Sequence, residues 1–359
     1  MTITNAMTQL KPVTQRALFL TTSMLISASM MAVGCSSLKE NRDSAGAPVA
    51  REVSSISPAP TRTGFAEVAG TRIHYQIYGD LVAGKIPLLI LHGAYMSADA
   101  MVPLIRSFAA TRTVIATDAR GHGRTGDVPG PLTYELHADD TAGVLKALNV
   151  MKADVLGYSM GANTALLTAI RHPDRIGKLI VVSGTYRRDG WYPEVLKGLE
   201  GMTTQSLAGT PLEAEYRRLS PTPNAFSALV GKNKALVMLP QAWSEQSISA
   251  IAGRTMVVIG DADGVALEHA IKLFRLRGGD DVETATKGFM DKVPRARLAI
   301  LPATSHTGIM TQARLIAELA TPFLEDEMPP IAPGFFPEGT TAQSNQGTTS
   351  KPLQKEPKP

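Results

Sequence analysis

The segment Ala153-Asp154-Val155-Leu156-Gly157-Tyr158-Ser159-Met160-Gly161 joins a short apolar run to a helical pattern through a G-x-S-x-G turn. Leu166, Leu167 and Ile170 follow at helical spacing. Strand, tight turn and helix, in that order, is the setting in which this spacing carries chemistry. A sharp turn leaves little room beside its central residue, which is why glycine stands at 157 and 161. The turn lifts the Ser159 hydroxyl above the sheet, at a helix N-terminus whose N–H groups favour developing negative charge. The competing reading is a loop in which Ser159 only caps the helix, and that reading needs no partner residues elsewhere.

A nucleophilic serine needs a base. The chain has seven histidines: His74, His92, His122, His137, His172, His269 and His306. His306 lies just after the last strand-like run, at the same edge of the sheet as Ser159. His74 sits in an outer strand and His172 at a helix end before Pro173, so both read as structural or exposed. His137 and His269 read as solvated helical residues. The third group is a carboxylate that fixes the imidazole tautomer. Residues 260–265 read Gly-Asp-Ala-Asp-Gly-Val, and two aspartates so close on one turn do not both reach the histidine. Asp263 is the first choice and Asp261 the alternative, the other acid capping the turn.

Outward from the turn, apolar runs at 87–91, 113–117, 178–182, 255–259 and 298–301 repeat the pattern of 153–156. Short unbroken runs bounded by Gly, Asp or Pro fit strands buried on both faces. Residues 71–78 alternate instead, which predicts a half-exposed antiparallel strand near an edge. Leu136, Val144, Leu145 and Leu148 follow helical spacing. The fold class is therefore α/β, a mostly parallel central sheet with helices on both faces. Residues 186–252 break the rhythm. They hold no clear strand but carry Trp191, Leu196, Tyr216, Phe226 and Leu236, which predicts a helical cap insertion over the strand ends where ligands bind.

The order Ser159, Asp263, His306, each after its own strand, resembles the α/β-hydrolase superfamily. Leu91-His92-Gly93-Ala94 resembles its H-G oxyanion loop. Residues 118–125, Asp-Ala-Arg-Gly-His-Gly-Arg-Thr, resemble its D-x-R-G-H-G-x-S segment, with Thr125 in place of the commoner serine. His172-Pro173-Asp174-Arg175-Ile176 resembles the turn into its sixth strand. The resemblance implies an α/β-hydrolase fold over residues 63–326 and a Ser159–Asp263–His306 triad. It also implies oxyanion donors in the backbone N–H groups of Met160 and Ala94, with Tyr95 beside the substrate pocket. His92 and His122 would then shape loops by hydrogen bonding.

The two ends of the chain read differently. Lys11 and Arg16 precede an apolar run to Gly34, and no acid occurs before Glu40. That is a secretory signal, residues 1–34. Ala32-Val33-Gly34-Cys35-Ser36 resembles a lipoprotein signal, with Cys35 as the lipidated residue and membrane attachment at the bacterial cell envelope as its consequence. Ala32 departs from the larger residue favoured at that position, and plain secretion or a single membrane anchor are the alternatives. Residues 35–62 read as a flexible tether and 327–359 as a Pro-rich disordered tail.

The 359 residues are 44% hydrophobic and 19% charged, enough for a sizeable core. The formal charge of +4 falls to +2 once Lys11 and Arg16 leave with the signal. No basic cluster with interleaved aromatics is present, so nucleic acid is not an expected partner. One cysteine makes no internal disulfide or cysteine-based metal site. No P-loop, dinucleotide fingerprint or metal-ligand spacing occurs, and no cofactor or metal is expected.

A serine hydrolase cleaving carboxylic esters or related acyl bonds is the leading expectation. Lactonase, carbon–carbon bond hydrolase and cofactor-free haloperoxidase or perhydrolase are alternatives on the same residues, and a non-catalytic surface binding protein is the alternative outside catalysis. Dehalogenases and epoxide hydrolases of this fold use Asp where Ser159 stands.

Overall fold

The structure is a computed structural model that describes residues 59–331 and Gly334. The expected signal at 1–34, Cys35, and most of the expected tether and tail lie outside the described residues. Among the described residues, no helix is long and apolar enough to cross a membrane.

The chain opens with a hairpin of β1 (Arg62–Val68) and β2 (Thr71–Tyr78), then β3 (Leu88–Leu91), α1 (Val102–Ala109) and β4 (Val114–Thr117). Next come α2 (Tyr134–Ala147), β5 (Ala153–Tyr158), α3 (Met160–Arg171) and β6 (Ile176–Val182). Four helices follow without a strand: α4 (Pro193–Glu200), α5 (Pro211–Leu219), α6 (Phe226–Met238) and α7 (Glu245–Ala250). The sheet resumes with β7 (Thr255–Ala262), α8 (Leu267–Leu276), α9 (Val282–Lys287), β8 (Ala296–Ser305) and α10 (Ala313–Leu324). The strand order is β1-β2-β4-β3-β5-β6-β7-β8, antiparallel across β1, β2 and β4 and parallel beyond.

All but one of the unbroken apolar runs are explained by burial on both faces; the run 298–301 instead lies in β8, the far edge of the sheet, where Ile300 is exposed. Leu89, Leu91, Val155, Val181 and Val257 pack with Val144 and Leu145 of α2 and Leu166 of α3. The alternate residues Leu88, Ile90, Leu156, Ile180 and Val258 pack on the opposite face, with Leu104 and Phe108 of α1 and Ile316 and Phe323 of α10. Period-two alternation places successive residues in two different cores, so neither set is polar. The result is an α/β-hydrolase fold.

Residues 71–78 form the expected antiparallel strand near an edge, but they are not half-exposed. β1 covers β2, and only Arg72 of the strand is exposed. Two of the polar residues that gave the alternation, His74 and Gln76, are buried and paired. His74 Nδ1 lies 3.0 Å from an Asp118 carboxylate oxygen, and the Gln76 amide donates to Asp99 at 3.0 Å.

Within 186–252, Tyr216, Phe226, Leu229 and Val230 form a small core of their own, with Leu207. By contrast, Ile248 of α7 and the adjoining Ile251 are buried in the main core beside the sheet.

Candidate active site

Ser159 stands between β5 and α3 with φ 53° and ψ −115°. Such a conformation is costly for a residue with a side chain and persists only where packing enforces it. The flanking glycines show the enforcement. A Cβ on Gly157 would sit 2.2 Å from the Gly161 carbonyl oxygen, and one on Gly161 would sit 2.3 Å from that of Leu91. The Ser159 hydroxyl makes no capping bond to α3. It lies 3.0 Å from His306 Nε2 instead.

His306 follows β8, and its Nδ1 lies 2.7 Å from Asp263 Oδ1. An ionised carboxylate only accepts, so Nδ1 carries the proton and Nε2 accepts from the Ser159 hydroxyl. The Asp263 side chain is fully buried, and burial alone would raise its pKa. Hydrogen bonds from His306, from the Ser183 hydroxyl at 2.6 Å and from the Val265 N–H at 3.0 Å outweigh that cost. They hold the carboxyl below the usual aspartate range.

Asp261 does not reach the histidine. The pairing of β7 with β8 shifts register between Gly260 and Ala262. Asp261 there accepts the N–H groups of Ala303 and Thr304 at 2.9 and 3.0 Å. One aspartate thus ties down the end of β8, and the other faces the imidazole that β8 delivers.

The Ala94 and Met160 N–H groups donate to no acceptor among the described residues. Met160 opens α3, where a helix leaves its first N–H groups free. Tyr95 has φ 66° and packs against the small core of Leu207, Tyr216 and Phe226. Burial pushes its hydroxyl up to about 12, so it stays protonated.

The remaining histidines have structural work. His92 Nδ1–H donates to Gly93 O at 2.7 Å, and Nε2 accepts the Ala119 N–H at 2.9 Å. His122 Nδ1–H donates to Arg120 O at 2.9 Å, and Nε2 accepts from the Asn233 amide at 3.1 Å. Burial lowers the pKa of both, so both rings are neutral. His137 is not solvated as its helix position suggested. It is 3% exposed, and burial pushes its pKa down to about 3. His269 is also half-buried, stacked on Tyr186 with ring centroids 4.4 Å apart.

Three contributors escape a reading of the sequence. The Ser183 hydroxyl holds Asp263, the Tyr158 hydroxyl donates to His306 O at 2.9 Å, and Trp191 meets the His306 ring edge-on at 5.0 Å. Ser183 left one clue, since it directly follows the apolar run 178–182 and so stands at the same sheet edge as Ser159.

A family model for the alpha/beta hydrolase fold matches residues 86–264. RutD of Caulobacter segnis, named as a carbamate hydrolase, is 38% identical over 119 residues, which are 33% of this chain and 45% of that protein. The chain spans about half the length of the curated relatives it matches. Among solved structures, the enol-lactonase of Burkholderia xenovorans LB400 aligns with a TM-score of 0.55 at 21% identity, over 73% of this chain and 99% of that one. The meta-cleavage product hydrolase CumD of Pseudomonas fluorescens IP01 aligns with a TM-score of 0.57 at 19% identity, over 74% and 98%. These structures share the fold, and together with the family match they place the chain in the α/β-hydrolase superfamily.

Proposed function

We propose that the protein is a serine hydrolase that cleaves carboxylic esters or related acyl bonds. One observation carries the reading: Ser159 Oγ, His306 and Asp263 form a continuous hydrogen-bonded chain with contacts of 3.0 and 2.7 Å. Ser159 Oγ attacks the acyl carbon while His306 Nε2 takes its proton. Asp263 stays ionised, fixes the tautomer and stabilises the imidazolium. The free N–H groups of Met160 and Ala94 donate to the developing oxyanion, and one such donor is worth on the order of 10²–10³ in rate. His306 then returns the proton to the leaving group. Water, deprotonated by His306, attacks the acyl–Ser159 carbon and releases the acid.

RutD, the enol-lactonase and CumD carry names for different scissile bonds, so the bond is best found by assay. A panel of short 4-nitrophenyl esters, lactones and amides, run beside Ser159→Ala, tests the reading. Ester turnover that vanishes in the variant supports it, and turnover unchanged by the substitution contradicts it. Lipid attachment at Cys35 belongs to the same proposal and rests on the Ala32-Val33-Gly34-Cys35 segment. Mass spectrometry of the membrane-extracted N-terminus tests that part separately.

A further inference from the structure

The segment that leads into α4 is tied to the turn that carries Asp263. Trp191 leaves a short 3-10 turn, Arg188–Gly190, in extended conformation. It forms an antiparallel bridge with Val265. On either side, the Tyr192 N–H donates to Gly264 O at 3.1 Å and the Ala266 N–H donates to Gly190 O at 2.9 Å. Val265 is also the residue whose N–H holds Asp263 Oδ1 at 3.0 Å. Residues 190–192 therefore splint the same turn whose backbone fixes the carboxylate.

The Trp191 side chain spans both the acid turn and the base. A Cβ on Gly264 would lie 3.3 Å from Trp191 Cζ3, so the missing side chain at 264 lets the indole close on the turn. The same indole meets the His306 imidazole with centroids 5.0 Å apart and planes at 61°, the geometry of a favourable edge-to-face pair. Tyr158 supplies a second ring, 5.4 Å from the imidazole, and its hydroxyl donates to His306 O at 2.9 Å. Tyr158 belongs to a central strand, whereas Trp191 belongs to the start of the cap insertion.

His306 has need of such a support. It stands just past the end of β8 with a partly exposed side chain, and its ring must face Ser159 at 3.0 Å and Asp263 at 2.7 Å at once. An imidazole free to rock on those two bonds loses alignment as the proton moves, and a displacement of about 1 Å costs on the order of 10² in rate.

We propose that Trp191 is a positioning residue that locks the His306 ring in line with Ser159 and Asp263, so that the first residues of the cap set the rate of the triad. The proposal rests on the serine-hydrolase reading and deepens it. Because Trp191 acts through His306, its loss lowers kcat and leaves KM nearly unchanged.

The test compares wild type, Trp191→Phe and Trp191→Leu on a short 4-nitrophenyl ester, well below the melting temperature of each. Trp191→Leu is expected to lower kcat about thirtyfold, and Trp191→Phe, which keeps a ring, about threefold. Proton NMR supplies a readout that needs no substrate: the downfield His306 Nδ1–H signal, identified by its absence in His306→Gln. It is expected to be sharp in wild type, weaker in Trp191→Phe and lost to solvent exchange in Trp191→Leu. A kcat equal to wild type in Trp191→Leu, or a signal equally sharp in both, overturns the proposal. Where the leucine variant does not fold, the same comparison with Trp191→Phe decides. Absence of ester turnover in wild type sinks the hydrolase reading alone, and the Nδ1–H signal then decides by itself whether Trp191 holds the ring.

Discussion

Asp261 and Asp263 leave the same strand end two residues apart and bind opposite partners. Asp263 receives the His306 Nδ1–H at 2.7 Å, whereas Asp261 receives the backbone N–H groups of Ala303 and Thr304. The two substitutions therefore separate rate from structure. Asp263→Asn is expected to lower kcat about 10³–10⁴-fold, because an amide no longer holds the reactive tautomer. Asp261→Asn is expected to lower the melting temperature slightly and leave kcat within a fewfold of wild type. Equal losses of kcat in both variants would contradict this division.

Ser183 is expected to act through Asp263. Its hydroxyl is one of three donors that hold the carboxyl below the usual range against the cost of burial. Ser183→Ala removes one donor, so the Asp263 pKa rises and the acid limb of the pH–rate profile moves to higher pH. A kcat loss of roughly tenfold accompanies it. An unshifted acid limb with unchanged kcat would show that the bond is idle.

The elbow is expected to reject any side chain at its flanks. A Cβ on Gly161 meets the Leu91 carbonyl oxygen at 2.3 Å, and that backbone belongs to a central strand with no freedom to withdraw. Gly161→Ala is expected to cost about 3 kcal/mol or more, with loss of soluble protein or a large drop in melting temperature. A variant that melts with wild type would contradict the tight turn.

Much of this arrangement is legible in the sequence, for a physical reason. Strands buried on both faces favour apolar residues, so β3 to β7 announce themselves as unbroken runs, whereas β8 shows an apolar run although it forms the exposed far edge. The elbow announces itself because only glycine fits beside Ser159. β1 carries no such mark. Its residues are Arg-Thr-Gly-Phe-Ala-Glu-Val, and only Ala66 and Val68 are buried, as suits an edge strand. With β1 unseen, β2 looked half-exposed, and its buried His74 and Gln76 looked like a solvent face. His137 misleads in the same way, because a lone polar residue on a helix does not reveal what packs over it. Ser183 gains its meaning only when a distant segment brings Asp263 beside it.

Three buried neutral histidines predict how stability responds to acid. His137 has an ordinary value of 6.5 and falls to about 3 in the fold, and burial lowers His92 and His122 as well. The unfolded chain therefore takes up protons below about pH 6.5 that the folded chain refuses. This contribution is complete above pH 6.5 and is lost as pH falls from there toward 3. Melting temperature is expected to decline steadily from pH 6.5 to 4.5, with a shallower slope in His137→Gln. A wild-type melting temperature that stays flat between pH 7 and 5 would contradict buried, neutral rings.

Reaction with a fluorophosphonate, read by peptide mass spectrometry, bears most directly on whether Ser159 is the nucleophile. The expected result is a single adduct on Ser159 that forms in step with loss of esterase turnover, with no adduct and no turnover in Ser159→Ala. A chain that stays unlabelled while it turns over ester, or a Ser159→Ala variant that labels and reacts like wild type, would contradict it.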